Sequence, residues 1–227
     1  MVNQAEFDAL QQDYTAFQRR HWRRLKKQYA RGVMDGILAL LRPGDIVLDC
    51  GANVGAVAEP LARTGATVLC FEPDPYAFAR LTDRLGDHPN VTLHHAAVGV
   101  TAGTARLMRA ANFDDNPGNA SVKSTLIPGG FNIDEETGID VPVLSLPDIL
   151  DDLIDTHGQI AFLKLDIEGA ELDLLEHLHA RSLFDHIRLT VAETHEKKFP
   201  ALRPRFAALR GTLSAAYPPT RVNLDWI

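Results

Sequence analysis

A glycine-rich loop follows a short apolar run near residue 50 of the chain. The run is residues 46–50, and it leads into Asp49-Cys50-Gly51-Ala52-Asn53-Val54-Gly55. Glycines allow a strand to turn sharply into a helix and allow the backbone to approach a ligand closely. The helix that follows offers free N–H groups and the positive end of its dipole, so the turn suits a nucleotide-like ligand at the carboxyl edge of a sheet. The residues that we assign here to cofactor binding are Asp49, Gly51, Asn53 and Gly55.

The spacing inside this loop bears on which ligand it binds. A dinucleotide-binding fingerprint has glycine at its first and third positions and Gly or Ala three residues later. Here Asn53 occupies the third position, and Gly55 falls one residue early. The loop, with Asp49 before it, is instead similar to loops that bind S-adenosylmethionine (SAM), which lacks a pyrophosphate. An NAD-dependent oxidoreductase stays open as an alternative, as does an ordinary strand-to-helix turn with a capping acid.

Two further residues are candidates for cofactor contacts. Glu72 follows the second apolar run, in Phe71-Glu72-Pro73. A carboxylate at that place can accept both hydrogen bonds of a ribose diol, as an acid does in dinucleotide-binding folds. Ala96 follows the third predicted strand and offers a small side chain against which a flat base fits. We therefore add Glu72 and Ala96 to the predicted cofactor-binding residues.

Acids and a histidine end two later apolar runs and could carry out proton chemistry. Asp166 is placed to hold the amino group of the cofactor or to act as a base. Glu193 and His195 fall on one face of their strand because side chains alternate along it. His195 has the unperturbed pKa closest to neutrality, which suits a general base, and Glu193 would orient it or bind substrate. The predicted catalytic residues are Asp166, Glu193 and His195.

The same region contains groups whose roles stay open. Asp166, Glu193 and His195 are also suitable ligands for a divalent metal, but their separation along the chain gives no ligand spacing, and we assign no metal site. Glu168 is predicted to bind the cofactor, with helix capping as the alternative, since acids are favoured near a helix N-terminus. Lys164 shares a strand face with Asp166 and would neutralise a buried carboxylate.

Strands and helices alternate from Arg42 onward, which predicts βαβ units and a mostly parallel sheet. The predicted strands are residues 46–50, 67–71, 91–95, 103–108, 121–127, 160–165, 188–192 and 221–227. The predicted helices are residues 54–63, 75–85, 147–154, 170–179 and 201–213. Turn-rich sequence interrupts the alternation in residues 110–140, and we interpret that segment as a lid or substrate loop.

The motifs taken together resemble those of a known family. In order along the chain they resemble the blocks of the FkbM family of SAM-dependent methyltransferases. The blocks are Asp49-Cys50-Gly51-Ala52-Asn53-Val54-Gly55, Phe71-Glu72-Pro73, Lys164-Leu165-Asp166-Ile167-Glu168-Gly169-Ala170-Glu171 and Glu193-Thr194-His195. The resemblance implies an α/β, Rossmann-like class I methyltransferase fold, with a mostly parallel sheet and helices on both faces. It also implies SAM as cofactor and a hydroxyl of a small molecule, sugar or natural product as methyl acceptor. A nonenzymatic SAM-binding protein is the remaining alternative.

Positive charge is concentrated near the N-terminus. Residues 1–31 hold seven basic and three acidic side chains, whereas the whole chain has a net charge of −7, so the remainder carries −11. Apolar and aromatic residues recur there at spacings of three and four, which predicts one amphipathic helix, or two. We expect an N-terminal helical extension of residues 1–41 ahead of one domain of residues 42–227. Its cations are expected to face solvent, with pairing in a homodimer or contact with an anionic surface as alternatives.

Composition narrows the class of protein further. At 45% apolar and 23% charged residues the chain is typical of globular proteins. The acidic body argues against a nucleic-acid partner, and no apolar run approaches the roughly 20 residues of a membrane span. The first residues lack the apolar core of a secretory signal. Cys50 and Cys70 sit in runs expected to be buried strands, which indicates a reducing cytoplasm without disulfides.

Overall fold

The chain forms two compact units in a computed structural model that describes residues 4–113 and 117–226. One unit is built around a single long helix, α1 (Gln4–Leu40), where the sequence allowed one helix or two. The other unit comprises residues Leu41–Asp225. Among the described helices, none combines the length and apolar character needed to cross a lipid bilayer.

Strands and helices alternate through most of the larger unit. In chain order its strands are β1 (Ile46–Cys50), β2 (Thr67–Phe71), β3 (Val91–His94), β4 (Ala97–Gly99), β5 (Gly103–Ala110), β6 (Ile133–Ser145), β7 (Ile160–Leu165), β8 (Ile187–Ala192) and β9 (Val222–Asn223). Its helices are α2 (Ala58–Ala62), α3 (Pro75–Leu85), α4 (Pro117–Ala120), α5 (Leu146–His157), α6 (Glu171–Ala180) and α7 (Arg203–Ala216). Short 3₁₀ turns cover Ser121–Lys123, Leu183–His186 and Pro200–Leu202.

A six-stranded sheet in the order β3-β2-β1-β7-β8-β9 confirms the predicted α/β fold. Every pairing within it is parallel. Cys50 is in register with Phe71 on one side and with Leu165 on the other, and Leu165 is in register with Ala192. Because these four strands end level, the residues that follow them meet at one edge of the sheet.

The centre of this sheet is buried on both faces. All residues of β1 and β7 are buried, as expected for parallel strands covered by helices. Alternate residues of β1, such as Leu48, belong to a core cluster with leucines of α5 and α6 and with Phe206 of α7. Val47, on the opposite face of β1, is also fully buried. The strand ends are therefore anchored in a packed core, which fixes the positions of the loops that follow.

A second sheet of three strands, in the order β4-β6-β5, differs from the sequence prediction. We predicted neither β4 nor β6, and residues 121–127 form a 3₁₀ turn with one bridge, between Thr125 and Met108, where we predicted a strand. Part of the predicted lid, residues 110–140, is the first half of β6; residues 114–116 lie outside the described residues. The sequence of β6 gives only a weak strand pattern. Its apolar face consists of Ile139, Val141 and Val143, and residues 135–137 are exposed.

The helix after β1 begins later than predicted. We predicted residues 54–63, but α2 begins at Ala58. Asn53 and Gly55 have φ values of +47° and +81°, and an α-helix of L-residues cannot continue through left-handed backbone. Pro60 consequently lies in the first turn of α2, where its missing N–H costs little. At the far edge, β9 covers two residues of the predicted strand 221–227, whose last residue lies outside the described part.

Candidate functional site

A cleft of about 660 Å³ opens at the edge where the four level strands end. This volume includes the open solvent at the mouth of the cleft. Five of the predicted site residues line it: Gly51, Asn53, Glu72, Asp166 and Glu168. Parallel pairing of β2, β1 and β7 brings these residues together although they are spread over more than a hundred positions of the sequence.

The two predicted glycines serve backbone geometry and packing. Gly51 has φ +78°, and a Cβ placed there would lie 1.8 Å from the carbonyl oxygen of Asp166. Gly55 has φ +81°, and its Cβ would lie 2.9 Å from Leu81 of α3. Gly51 thus allows the loops after β1 and β7 to touch at the cleft. Gly55 allows α3 to pack closely and is not among the lining residues.

Glu72 is held at the cleft by backbone donors. Its two carboxylate oxygens accept hydrogen bonds from the N–H of Asn53 at 2.9 Å and the N–H of Asp74 at 2.8 Å. The side chain is 6% exposed. Burial raises the pKa of Glu72 to about 7, although these two hydrogen bonds oppose the rise. Each oxygen keeps a second lone pair, so the carboxylate can still accept hydrogen bonds from a ligand diol.

Asp49 lies beneath the cleft surface, fully buried. Its Oδ1 is 3.0 Å from Nζ of Lys164, which also donates to the carbonyl of Gly51 at 3.0 Å and lies 3.6 Å from Oδ2 of Asp166. Burial raises the pKa of Asp49. Burial alone would lower the pKa of Lys164, but Asp49 and Asp166 raise it above its usual value. Lys164 therefore neutralises mainly Asp49. It also links Asp49 to Gly51 and Asp166, which line the cleft.

The segment after β3 places one predicted residue beside the cleft. Ala96 is buried, and the neighbouring residues Ala97 and Val98 line the cavity. His95 stacks on Phe78 with ring centroids 4.4 Å apart. The small apolar surface at the cavity is formed by Ala97 and Val98, and Ala96 is not among the lining residues.

His195 lies among three carboxylates. Its Nδ1 is 3.0 Å from Oε1 of the fully buried Glu171. Its Nε2 is 3.5 Å from Oε1 of Glu168 and 3.9 Å from Oδ1 of Asp166. The carboxylate of Glu168 therefore faces His195, and Glu171, not Glu168, caps the loop by accepting from the N–H groups of Ile167 at 2.7 Å and Gly169 at 2.9 Å.

These surroundings raise the pKa of His195 far above that of a free imidazole, so it does not have the near-neutral pKa that we expected from its residue type. Burial favours the neutral ring, but the hydrogen bonds with Glu168 and Glu171 dominate and raise the pKa of His195 to about 11. The ring is then a cation at neutral pH and lacks the lone pair of a base. Burial, followed by repulsion from Asp166, raises the pKa of Glu193 to about 7. Glu193 lies next to Asp166 in space because its N–H bonds the carbonyl of Leu165 at 3.0 Å.

Several residues at this edge of the sheet were not predicted from the sequence. Nζ of Lys198 lies 2.7 Å from Oε2 of Glu168. The hydroxyl of Thr125 donates to the carbonyl of Glu168 at 2.6 Å, and Ser121 and Ser124 line the cleft. A lysine pair after an acid and hydroxyl residues in a loop are common in any sequence, so neither pattern gave a usable signal.

Comparisons with known proteins agree with this geometry. A family model described as Methyltransferase FkbM domain matches residues 49–217. The chain is 31% identical over 194 residues to the 31-O-demethyl-FK506 methyltransferase FkbM of Streptomyces tacrolimicus, which covers 75% of this chain and 73% of that protein. It is 29% identical over 221 residues to the methyltransferase sdnD of Sordaria araneosa, covering 83% and 80%. It is also 28% identical over 151 residues to the 2-O-methyltransferase NoeI of Sinorhizobium fredii, covering 61% and 60%. The chain therefore belongs to the family of FkbM-domain methyltransferases.

Proposed function

We propose that this methyltransferase uses SAM to methylate a hydroxyl group of a small molecule, a sugar or a natural product. The observation that carries the proposal is one cleft with two unlike sides. Glu72 stands on one side with backbone donors on both oxygens. Asp166 and Glu168 stand on the other, next to His195. The first side suits a ribose diol, and the second suits an acceptor that must lose a proton.

The residues on the β1–β2 side fit the adenosine part of SAM. Glu72 would accept the hydrogen bonds of the ribose hydroxyls, and Ala97 and Val98 would contact the base. Asn53 holds Glu72 through its N–H, and Lys164 fixes the loop by bonding the carbonyl of Gly51. When bound, SAM supplies a methyl group on a positively charged sulfur, so the chain itself needs mainly to align the acceptor and remove its proton.

The residues on the β7–β8 side fit the acceptor. His195 is enclosed by Glu168 and Glu171 through its two ring nitrogens, so we assign proton removal to a carboxylate instead. Asp166 and Glu193 both follow strands that end at the cleft edge, and either is placed to take the proton of a hydroxyl. His195 would then hold the carboxylates in place.

The names of relatives support oxygen as the methylated atom. One is named for 31-O-demethyl-FK506 and another is named a 2-O-methyltransferase. A hydroxyl acceptor also matches the site, because a neutral alcohol is a weak nucleophile until a base removes its proton. Transfer of labelled methyl from SAM to a panel of hydroxylated sugars and polyketides, against the same compounds with blocked hydroxyls, tests this assignment. Label on the blocked compounds would contradict it.

Cofactor binding is tested by titrating the chain with S-adenosylhomocysteine (SAH) in a calorimeter, with NAD as comparison. We expect saturable SAH binding and no response to NAD. Glu72→Ala should weaken SAH binding by about 10–100-fold, since hydrogen bonds to a charged group contribute roughly 1.5–3 kcal/mol. Glu136→Ala, at an exposed position of β6, is the matched control and should bind as the wild type. Absence of SAH binding to the folded chain, with and without divalent metal, would overturn the proposal.

We also propose that α1 pairs with a second copy of the chain. Tyr14, Phe17 and Trp22 are 61%, 57% and 65% exposed. Helical periodicity of 100° per residue places Tyr14 and Phe17 on the side opposite Arg19 and Arg23, with Trp22 between the two sides. The basic helix complements the acidic remainder of another copy. Light scattering should give the mass of a dimer for the wild type and of a monomer for the double variant Phe17→Glu/Trp22→Glu. A monomeric wild type that instead binds anionic vesicles would contradict the dimer.

Two free thiols support a reducing compartment, which we propose to be the cytoplasm. Cys50 and Cys70 are buried and unlinked. Burial raises the pKa of both thiols, so they stay protonated and inert at neutral pH. Fractionation of cells that express a tagged chain tests the location, and recovery outside the cytoplasmic fraction would contradict it.

A further inference from the structure

Three atoms of the kind that bind metals converge at the cleft. They are Nε2 of His195, Oδ1 of Asp166 and Oε1 of Glu168, all within 4.8 Å of one another. Nε2 lies 3.9 Å from the Asp166 oxygen and 3.5 Å from the Glu168 oxygen. Atoms that bind one octahedral divalent ion at about 2.1 Å lie roughly 3.0–4.2 Å apart. Both distances from Nε2 fall within this range.

In both Asp166 and Glu168, one carboxylate oxygen faces a lysine and the other faces His195. Oδ2 of Asp166 faces Nζ of Lys164 at 3.6 Å, and Oε2 of Glu168 faces Nζ of Lys198 at 2.7 Å. The other oxygen of each carboxylate is turned toward the imidazole. The lysines therefore fix the carboxylates from outside and leave one oxygen of each for a shared partner.

Glu171 orients the imidazole toward the same point. Its Oε1 lies 3.0 Å from Nδ1 of His195, and its carboxylate is fully buried and held by two backbone N–H groups. A histidine that binds a metal commonly donates its other N–H to a carboxylate, which sets the tautomer. Nε2 then faces two carboxylate oxygens. A divalent cation bound at that point would take the place of the proton that Nε2 carries in the imidazolium.

The charges around this point are unbalanced among the described side chains. Four carboxylates are grouped there: Asp166, Glu168, Glu171 and Glu193. The cations in contact with the group are Lys164, Lys198 and the His195 ring, and Lys164 also pairs with Asp49. A divalent ion would offset the excess of negative charge.

We propose that Asp166, Glu168 and His195 bind a divalent cation of the Mg²⁺ or Mn²⁺ type. Carboxylate oxygens suit these ions, and the imidazole favours Mn²⁺ of the two. Asp166 and Glu168 line the cleft, so the remaining coordination positions face the space for substrate. This differs from the trio considered from the sequence, because Glu168 takes the place of Glu193.

The role of the ion rests on the proposed methyl transfer, whereas its binding does not. An acceptor hydroxyl bound to the cation loses its proton more easily, because the metal stabilises the resulting alkoxide. The O–H bond breaks, its electron pair stays on the oxygen, and the proton passes to the carboxylate of Glu193. The cation thereby serves both to position the acceptor oxygen and to activate it.

The proposal is tested by titrating the full chain, stripped with EDTA, with Mn²⁺ in the absence of SAM, and following the signal of free Mn²⁺ by electron paramagnetic resonance. We expect one ion per chain. Asp166→Asn, Glu168→Gln and His195→Ala should each weaken binding at least about tenfold, and Glu171→Gln about tenfold through misorientation of His195. Asp152→Asn and His157→Ala, at exposed positions of α5, are the matched controls. Spin-echo spectra of bound Mn²⁺ should show a ¹⁴N coupling that His195→Ala removes.

The outcomes separate this site from the proposed function. Mn²⁺ binding that fails in the three ligand variants, each verified as folded by circular dichroism and urea unfolding, supports the site even if no acceptor is methylated. Binding that survives in His195→Ala with its ¹⁴N coupling intact places the ion elsewhere and overturns the proposal. Methyl transfer that runs undiminished in EDTA with no ion bound overturns the proposed role of the ion in activating the acceptor, and it leaves the methyltransferase assignment intact.

Discussion

The two halves of the cleft handle negative charge differently. On the β1–β2 half, one carboxylate, Glu72, is stabilised by two backbone N–H groups at 2.9 and 2.8 Å. On the β7–β8 half, His195 is surrounded by carboxylates of Asp166, Glu168 and Glu171, and side-chain ammonium groups contact the first two of them. Backbone donors are rigid and suit recognition of a neutral diol. Side-chain charges can exchange protons and ligands, so the second half suits the chemical step.

Lys164 joins the two halves. Its ammonium contacts Asp49 at the end of β1, the carbonyl of Gly51 and Asp166 at the end of β7. Because β1 and β7 are neighbours in the sheet, one buried cation reaches both. The halves are therefore distinct in their chemistry but not independent in their stability.

Replacing His195 should impair the chemical step on the β7–β8 half of the cleft without changing cofactor binding on the β1–β2 half. His195→Ala should lower the rate of methyl transfer by about 10²–10⁴-fold, because the group that organises three carboxylates is lost. The affinity for SAH, measured by calorimetry, should stay near the wild-type value because the β1–β2 half is untouched. His157→Ala, at an exposed position of α5, is the control. Normal turnover of His195→Ala would remove His195 from the mechanism and weaken the contrast between the halves.

Replacing Lys164 tests the contact that joins the two halves of the cleft. Lys164→Met should lower the free energy of unfolding by about 3–5 kcal/mol, because it leaves the buried carboxylate of Asp49 without its cation at 3.0 Å. Urea unfolding measures the change, and Lys123→Met, at an exposed site, is the control. The double variant Lys164→Met/Asp49→Asn should recover part of the loss. If the double variant is no more stable than Lys164→Met, the loss of stability does not come from the unpaired carboxylate of Asp49.

The smallest of the three effects is the pH dependence of stability that Glu72 gives to the β1–β2 half. The pKa of Glu72 rises from 4.5 to about 7 on folding, so the folded chain holds a proton there that the unfolded chain releases. The stability due to this proton is present below pH 4.5 and is lost as the pH rises through about 7. Glu72→Gln does not titrate, and it should gain about 2–3 kcal/mol relative to the wild type between pH 5 and pH 8.

Urea unfolding at both pH values gives this difference. Glu136→Gln, at an exposed position, should show no comparable gain. Parallel pH curves for the wild type and Glu72→Gln would indicate that the Glu72 carboxylate keeps its ordinary pKa in the folded chain.

The predicted elements differ in how well their patterns specified them. The strands of the parallel sheet are continuous apolar runs flanked by turn residues, so β1, β2 and β7 appear at their predicted positions. The strand β6 mixes exposed acids with a half-buried apolar face, and nothing in its local sequence distinguishes it from a loop. Its partners β4 and β5 are more than twenty residues away, so its pairing is a long-range property.

Local patterns of apolar and turn residues predicted the parallel sheet, the turn at Gly51 and the position of Glu72 at a strand end, because such patterns set where strands end. They also placed Asp166 and His195 at strand ends. The tertiary structure alone decided which groups touch: that Lys164 pairs with Asp49, that Glu171 orients His195, and that Glu168 turns toward the imidazole. Such contacts depend on register between strands and on the burial that shifts each pKa, and neither is encoded within a single segment of the chain.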